Sequence, residues 1–312
     1  MNVDDASALR ARVIELEAHL QATKALLRQV ERQLPASPLE TDQQLPAPRK
    51  KQSVDIPVTL PLAPSVHNLM LLSDSALPLG SFAYSSGLES FLAHHKPLPK
   101  GVTNLSLFHK FLKLSILSVA YTNVPYALAS FRDPLALPDL DNDLDASTPC
   151  TVARRASIAQ GRALLSVWER AFAPSVKAQL SDECLECVAA IDVFAKDLKL
   201  ASISSDDPLP VNGHFAPLWG AVSLALGLNL EEAGYLFLLN HAKAILSAAV
   251  RASVMGPYMA QSVLAGQELQ ELIRRSLERV WLLQPEDAGQ VVPCIDLWIG
   301  RHELLYSRIF NS

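Results

Sequence analysis

EEAGYLFLLNHAKAILSAAVRASV, residues 231–254, is the stretch that decides the fold. Its apolar positions recur at helical spacing with no β alternation, which reads as a helix. The apolar run inside it, 233–250, is broken by His241 and Lys243 and falls short of an uninterrupted membrane span. The same apolar periodicity is found at 64–73, 85–94, 104–131, 151–171, 177–199, 215–227, 257–281 and 295–308. Together these stretches predict an all-α, compact multi-helix bundle. Pro125 is expected to kink or interrupt the 104–131 helix, because it has no amide donor and its ring clashes with the preceding turn. FRDPLALPDLDNDLDASTP, 131–149, is acidic and proline-bearing and reads as an exposed loop. Residues 200–213, with SSDDPLP and Asn212-Gly213, read as another.

Before the bundle stands a different kind of segment. Leu9, Val13, Leu16, Leu20, Leu27, Val30 and Leu34, with Thr23 the polar exception, make a nearly complete four-heptad seam. Residues 1–35 are therefore read as an amphipathic or coiled-coil helix. A single amphipathic helix folded back on its own domain stays open, because four heptads are short for a stable dimer. Prolines, polar residues and the Lys50-Lys51 pair then mark 36–61 as a flexible linker. The main domain is expected at 62–312.

Composition bounds the function classes. A chain of 312 residues, 49% hydrophobic, can bury a substantial core. With a formal charge of -5 and no basic block interleaved with aromatics, nucleic acid is a poor partner. Four cysteines in so long a chain do not make a secreted disulfide framework. The start does not resemble a signal peptide, and a cytoplasmic protein with no membrane partner is expected.

Catalytic motifs do not emerge. There is no Gly-x-x-x-x-Gly-Lys-Ser/Thr phosphate loop, no His-Glu-x-x-His and no nucleophile elbow. His94-His95 would send adjacent imidazoles in different directions on a helix. Cys184 and Cys187 have a Cys-x-x-Cys spacing with no second pair to complete a metal site, and buried free thiols are the better reading. His214, just before Phe215 and Pro217, reads as a helix-start residue rather than a nickel ligand. No metal or cofactor site of its own is assigned, and the chain reads as a non-enzyme.

Two segments carry unusual chemistry. LLSDSALPLGSFAYSSGLESFL, 71–92, runs through Pro78 and Gly80 into a serine-rich turn and a helix that Ser85 or Ser86 could cap. Glu89 follows Ser86 by three residues, a capping-box spacing, and Phe82 and Tyr84 are spaced as exposed anchors of an extended piece. The tail RHELLYSRIFNS, 301–312, packs charged, aromatic and hydroxyl groups densely, as a docking surface does. Its plainer reading is a capped terminal helix, with Leu304, Leu305 and Ile309 facing the core and Arg308 near the negative end of the dipole.

These segments resemble the two end signatures of the UreF family of urease accessory proteins. Pro78, Gly80, Phe82, Tyr84, Ser85, Gly87, Leu88 and Glu89 carry the first match; His302, Glu303, Tyr306, Ser307, Arg308, Phe310 and Ser312 carry the second. Between them, Arg154, Arg155, Gln160, Gly161 and Arg162, then Gly213, His214, Phe215, Pro217 and Gly220, then Ala248, Ala249, Arg251, Gly256 and Gln261 also fit the pattern. Pro257 stands where a glutamine is usual after the late glycine, and Asn311 replaces a commoner arginine. These departures suggest a eukaryotic, fungal branch.

The resemblance implies an all-α dimer that acts as a non-catalytic chaperone in nickel insertion. It would bridge the scaffold UreD, called UreH in some species, and the GTPase UreG at apo-urease, and regulate that GTPase. Nickel and GTP would be handled mainly by UreG. Partner contacts are expected at Gly80, Phe82, Tyr84, Ser85, Glu89, Arg251, Arg301, His302, Glu303, Tyr306, Ser307 and Arg308. Arg251, Arg301 and Arg308 could reach a nucleotide, though structural or interfacial ion pairs suit them better. The alternative function is a coiled-coil scaffold unrelated to urease, which would explain residues 9–34 alone.

Overall fold

The computed structural model describes residues 21, 22, 24, 64–178, 182–201, 203 and 210–311. The heptad seam, the linker and half of 200–213 lie outside them. Among the described residues the structure is helical with no strand. The helices are α1 (Pro64–Ser73), α2 (Leu88–His94), α3 (Asn104–Thr122), α4 (Val124–Arg132), α5 (Leu137–Ser147), α6 (Thr151–Val167), α7 (Ala173–Ala178), α8 (Asp182–Ala201), α9 (Phe215–Ala225), α10 (Leu230–Arg251), α11 (Pro257–Ala265), α12 (Gln267–Val280) and α13 (Pro293–Arg301).

The short apolar helix α9 is the hub, packed on α4, α6 and α8. All but two of its eleven residues are buried, so it has no polar face to keep in water and must be enclosed. Its closest approach is to α4: a Cβ on Gly220 would lie 2.1 Å from the Ala127 carbonyl oxygen, so only glycine lets the two backbones meet. Trp219 is fully buried and donates its indole N–H to Ala233 O at 3.0 Å. Phe215 stacks on Phe237 of α10, with ring centroids 5.5 Å apart. The long helix α10 begins with a capping box between Asn229 and Glu232 and runs past α3 and α4. By length and composition Asn104–Arg132 and Leu230–Arg251 could each cross a membrane, which corrects the reading of the latter as too interrupted. Yet 56% of each apolar window is buried inside the bundle, as befits core helices.

The expected interruption at Pro125 is present: α3 stops at Thr122 and α4 restarts at Val124, with Pro125 in its first turn, where no amide donor is needed. Other boundaries need correction. Residues 131–149 are not an exposed loop, because α5 occupies 137–147 and buries Leu137, Leu140, Asp141 and Leu144. The 151–171 helix passes into a π turn at Trp168–Phe172, and the 257–281 helix is two, with Gly266 between them. Most consequential, the last helix ends at Arg301, and a single 3-10 turn, His302–Leu304, follows.

Candidate functional site

At the first of the two unusual segments, the turn is built by glycines that adopt left-handed backbone angles, Gly80 at φ +70° and Gly87 at φ +88°. Gly87 also lies against α13, where a Cβ would come within 3.1 Å of the Ile299 amide nitrogen. The helix starts at Leu88 with Gly87 at the N-cap, so neither the Ser86 cap nor the Ser86–Glu89 capping box forms. Ser85, fully buried, accepts the Glu89 N–H at its hydroxyl, 3.3 Å away. Residues 81–83 form a 3-10 turn rather than an extended piece, leaving Phe82 exposed while Tyr84 is partly buried.

The Glu89 carboxylate is turned to the chain's other end. Its Oε1 accepts the Ile309 N–H at 2.8 Å and its Oε2 the Phe310 N–H at 3.2 Å, across about two hundred residues of sequence. The Asn311 N–H donates to Ala83 O at 2.8 Å, and His302 donates from Nε2 to Phe310 O at 3.0 Å. Phe310 inserts into the bundle, 5% exposed. Burying such a ring contributes about 1.5–3 kcal/mol. Arg251, from the end of α10, lies over the Phe310 ring at 4.5 Å and bonds the Phe82 carbonyl. Burial lowers its guanidinium from the usual value. Arg155 and Glu303 form an outer ion pair at 2.8 Å, exposed and so worth little by itself.

Thus Gly80, Phe82, Ser85, Glu89, Arg251, His302 and Glu303, far apart in sequence, are joined by one clasp. Several roles differ from expectation. The terminal-helix reading fails because the backbone donors of Ile309 and Phe310 go to Glu89, and Leu304 and Ile309 point outward, 74% and 62% exposed. Arg251 makes no ion pair among the described residues: a carbonyl and an aromatic face hold it. Tyr306 is fully exposed, and Arg301, Ser307 and Arg308 are exposed beside it. The clasp therefore presents Phe82, Leu304, Tyr306 and Ile309, an apolar and aromatic set, on the outer side of an anchored chain end.

Behind the clasp lies a cavity of about 380 Å³, reaching from Ser81 and Tyr84 to Ser118, His241 and Asp296. Its lining is rich in uncharged hydrogen-bonding groups. Ser115 Oγ meets His241 Nε2 at 2.9 Å, and burial pushes that imidazole down to about 4, so it is neutral near pH 7. Burial also raises the Asp296 carboxyl, partly offset by the Gln290 amide that bonds it at 3.0 Å. Ser81 Oγ donates to Gln160 Oε1 at 2.9 Å, tying the loop to α6. The cavity was missed in the sequence, although His241 and Lys243 interrupting an apolar run were its visible trace.

Of the other candidates, His214 stands at the N-cap of α9, fully buried, with Nε2 2.9 Å from Asp145 and Nδ1 3.0 Å from Ser157. Cys187 is buried and donates to Ala221 O at 3.2 Å; the Cys184 side chain lies outside the described residues. His94 and His95 each turn Nδ1 back to a carbonyl one helical turn earlier, Ser90 O and Phe91 O, both at 2.7 Å.

Comparison with known proteins identifies the family. Residues 102–268 match the UreF family model. A Schizosaccharomyces pombe protein described as an uncharacterized urease accessory protein UreF-like is 40% identical over 79% of this chain and 97% of its own length. Urease accessory protein 6 of Cryptococcus neoformans is 27% identical over 81% of this chain and 98% of its own. Urease accessory protein F of Arabidopsis thaliana is 29% identical over 77% and 90%. The chain belongs to the UreF family of non-catalytic urease accessory proteins, with fungal members among its relatives.

Proposed function

We propose that the clasped tail and the 80–89 loop form the face that docks on UreD (UreH), from which the chain recruits the GTPase UreG to apo-urease for nickel delivery. The observation that carries this is the outward set Phe82, Leu304, Tyr306 and Ile309, set on a tail whose backbone is fixed by Glu89. Aromatic anchors on a pre-ordered backbone lose little entropy on binding, which is how a small patch gains affinity. Arg301 and Arg308 at its rim would steer an acidic partner surface. In this reading the protein is a cytoplasmic homodimeric adaptor. It has no cofactor of its own, leaves nickel and GTP to UreG, and acts on that GTPase only within the assembly. Family membership removes the alternative of a scaffold unrelated to urease.

Co-purification with UreD tests the reading. The chain lacking residues 303–312 should remain helical and lose UreD. Retention of UreD at full affinity by a folded truncation would overturn it. Reconstituted activation of apo-urease, with the chain supplied or omitted, tests the wider role: unchanged activation on omission would exclude it.

A further inference from the structure

We propose that the clasp is a proton-dependent latch, in which one proton held between His302 and Glu89 keeps the tail on the bundle. The docking reading supplies the use of such a latch, but the latch itself stands on the following geometry. His302 is fully buried, and its Nε2 lies 3.0 Å from the Phe310 carbonyl oxygen. A carbonyl oxygen can only accept, so Nε2 carries the hydrogen. In the neutral ring Nδ1 is then a bare lone pair, and it is buried with no hydrogen-bond partner. It faces Oε2 of Glu89 at 3.7 Å, and each Glu89 oxygen already accepts an N–H of the tail. Without an added proton, a buried lone pair confronts a partly buried carboxylate with no donor between them, an arrangement that folding normally avoids.

A proton on Nδ1 makes both ring nitrogens donors and turns the contact into a charge-assisted pair. If it resides on the carboxyl instead, that O–H donates to Nδ1, and the count is the same: one proton for one closed latch. The surrounding charges are few. From α10, Arg251 lies over Phe310 and opposes a cation, but Glu89 of α2 is the acidic group directly facing the imidazole. From α6, Arg155 is taken up by Glu303 of the tail. Asp296 of α13 lines the cavity and is bonded to Gln290, His95 just after α2 lies tilted against Trp298, and Arg301 and Arg308 are exposed. The sign follows: the closed latch binds the proton more tightly than the open one, so closure is favoured at lower pH and lost as pH rises.

Hydrogen–deuterium exchange of the full chain between pH 6 and pH 8, corrected for the intrinsic chemical rate, reads this directly. Protection of 305–311 should fall about tenfold or more over that range, within the limit of about tenfold per pH unit for one proton, while that of 216–225 does not fall. In Glu89→Gln the amide oxygen can still accept the Ile309 N–H, while the amide nitrogen can donate to Nδ1 but cannot accept from Phe310, so protection at pH 6 should drop below that of the wild type and its pH slope should be gone. Nitrogen-15 resonances of the His302 side chain provide the second measurement. A neutral imidazole at pH 6, with Glu89 ionised and the tail protected, would overturn the latch; so would a flat wild-type profile, or an equal slope in Glu89→Gln. A latch that titrates while UreD binding ignores the tail would sink the docking reading alone.

Discussion

Asp141 and Glu89 perform the same act in two different places. Each is a carboxylate that reaches across the fold and gathers backbone N–H groups that no helix satisfies. Asp141, on α5 and fully buried, accepts from Asn212 at 2.6 Å, Gly213 at 3.1 Å and His214. It thereby holds the turn that launches α9 into the centre of the bundle. Glu89 accepts from Ile309 and Phe310 and holds a chain end. The first segment is threaded between helices and cannot leave without opening the core, whereas the second can peel off and find water. The same chemistry thus makes a structural pin in one region and a releasable clasp in the other.

The comparison breaks most easily at Asp141. Asp141→Ala leaves three interior donors without a partner, at about 1–3 kcal/mol each before relaxation, and should cost about 3–5 kcal/mol in urea unfolding. A loss below about 1 kcal/mol would mean that the turn satisfies itself elsewhere. The neighbouring ion pair of Arg154 with Asp145 and the hydrogen bond of Asp145 with His214 belong to the same network, so their mutations will not add independently to this one.

Acid separates the two regions a second way. Burial holds His241 at about 4, below its unfolded value near 6.5. The unfolded chain therefore binds the extra proton first, and the stability of the core is present above about pH 6.5 and falls as pH drops toward 4. The loss from this group should reach up to about 3 kcal/mol, less if water in the cavity solvates the ring. His241→Asn should remove that part of the slope, and an unchanged acid profile would show that His241 is hydrated. The proposed latch carries the opposite sign, over its own range between pH 6 and 8.

Much of this contrast was visible in the sequence, and part of it could not have been. The core helices were legible because burial on one face writes itself as periodicity, as in 104–131 and 231–254. The helix at 137–147 was legible too, in Leu137, Leu140 and Leu144 at helical spacing, but acidic residues and prolines outweighed them. The role of Asp141 was not: a carboxylate in an acidic stretch looks solvated until the partner amides are known. Glu89 shows the same limit, because its local spacing fits a capping box while its actual donors lie at the far end of the chain. Local rules describe what a residue offers; only the topology decides which donors arrive. The tail's composition did mark it as a surface, though the helix read through it ends at Arg301.

At Glu89 the expected damage is smaller in stability and larger in local order. Glu89→Ala frees two N–H groups that can reach water once the tail lifts, so global unfolding should shift by only about 1 kcal/mol. Exchange at 305–311 should nevertheless rise about fivefold, matching that energy. A loss as large as that of Asp141→Ala would erase the distinction between pin and clasp.

The smallest effect on stability tests the proposed use of the clasp most sharply. The Tyr306 side chain is fully exposed and buries nothing that its removal would uncover. Tyr306→Ala should therefore leave unfolding within about 0.5 kcal/mol of the wild type, as exposed substitutions do. If the anchored tail is a docking face, an exposed aromatic ring on it is where binding energy concentrates, and truncating it should weaken UreD binding by about 2 kcal/mol, or some thirtyfold. Titration of UreD against the folded variant decides between the two kinds of exposed residue. Unchanged affinity would make Tyr306 an ordinary surface side chain and shift the burden to Phe82, Leu304 and Ile309; unchanged affinity in a Phe82→Ala/Tyr306→Ala double variant would remove the aromatic basis of the docking face. Combining Tyr306→Ala with Glu89→Ala then orders the two steps: if the clasp acts only by presenting the ring, the double variant should bind no more weakly than the weaker of the singles.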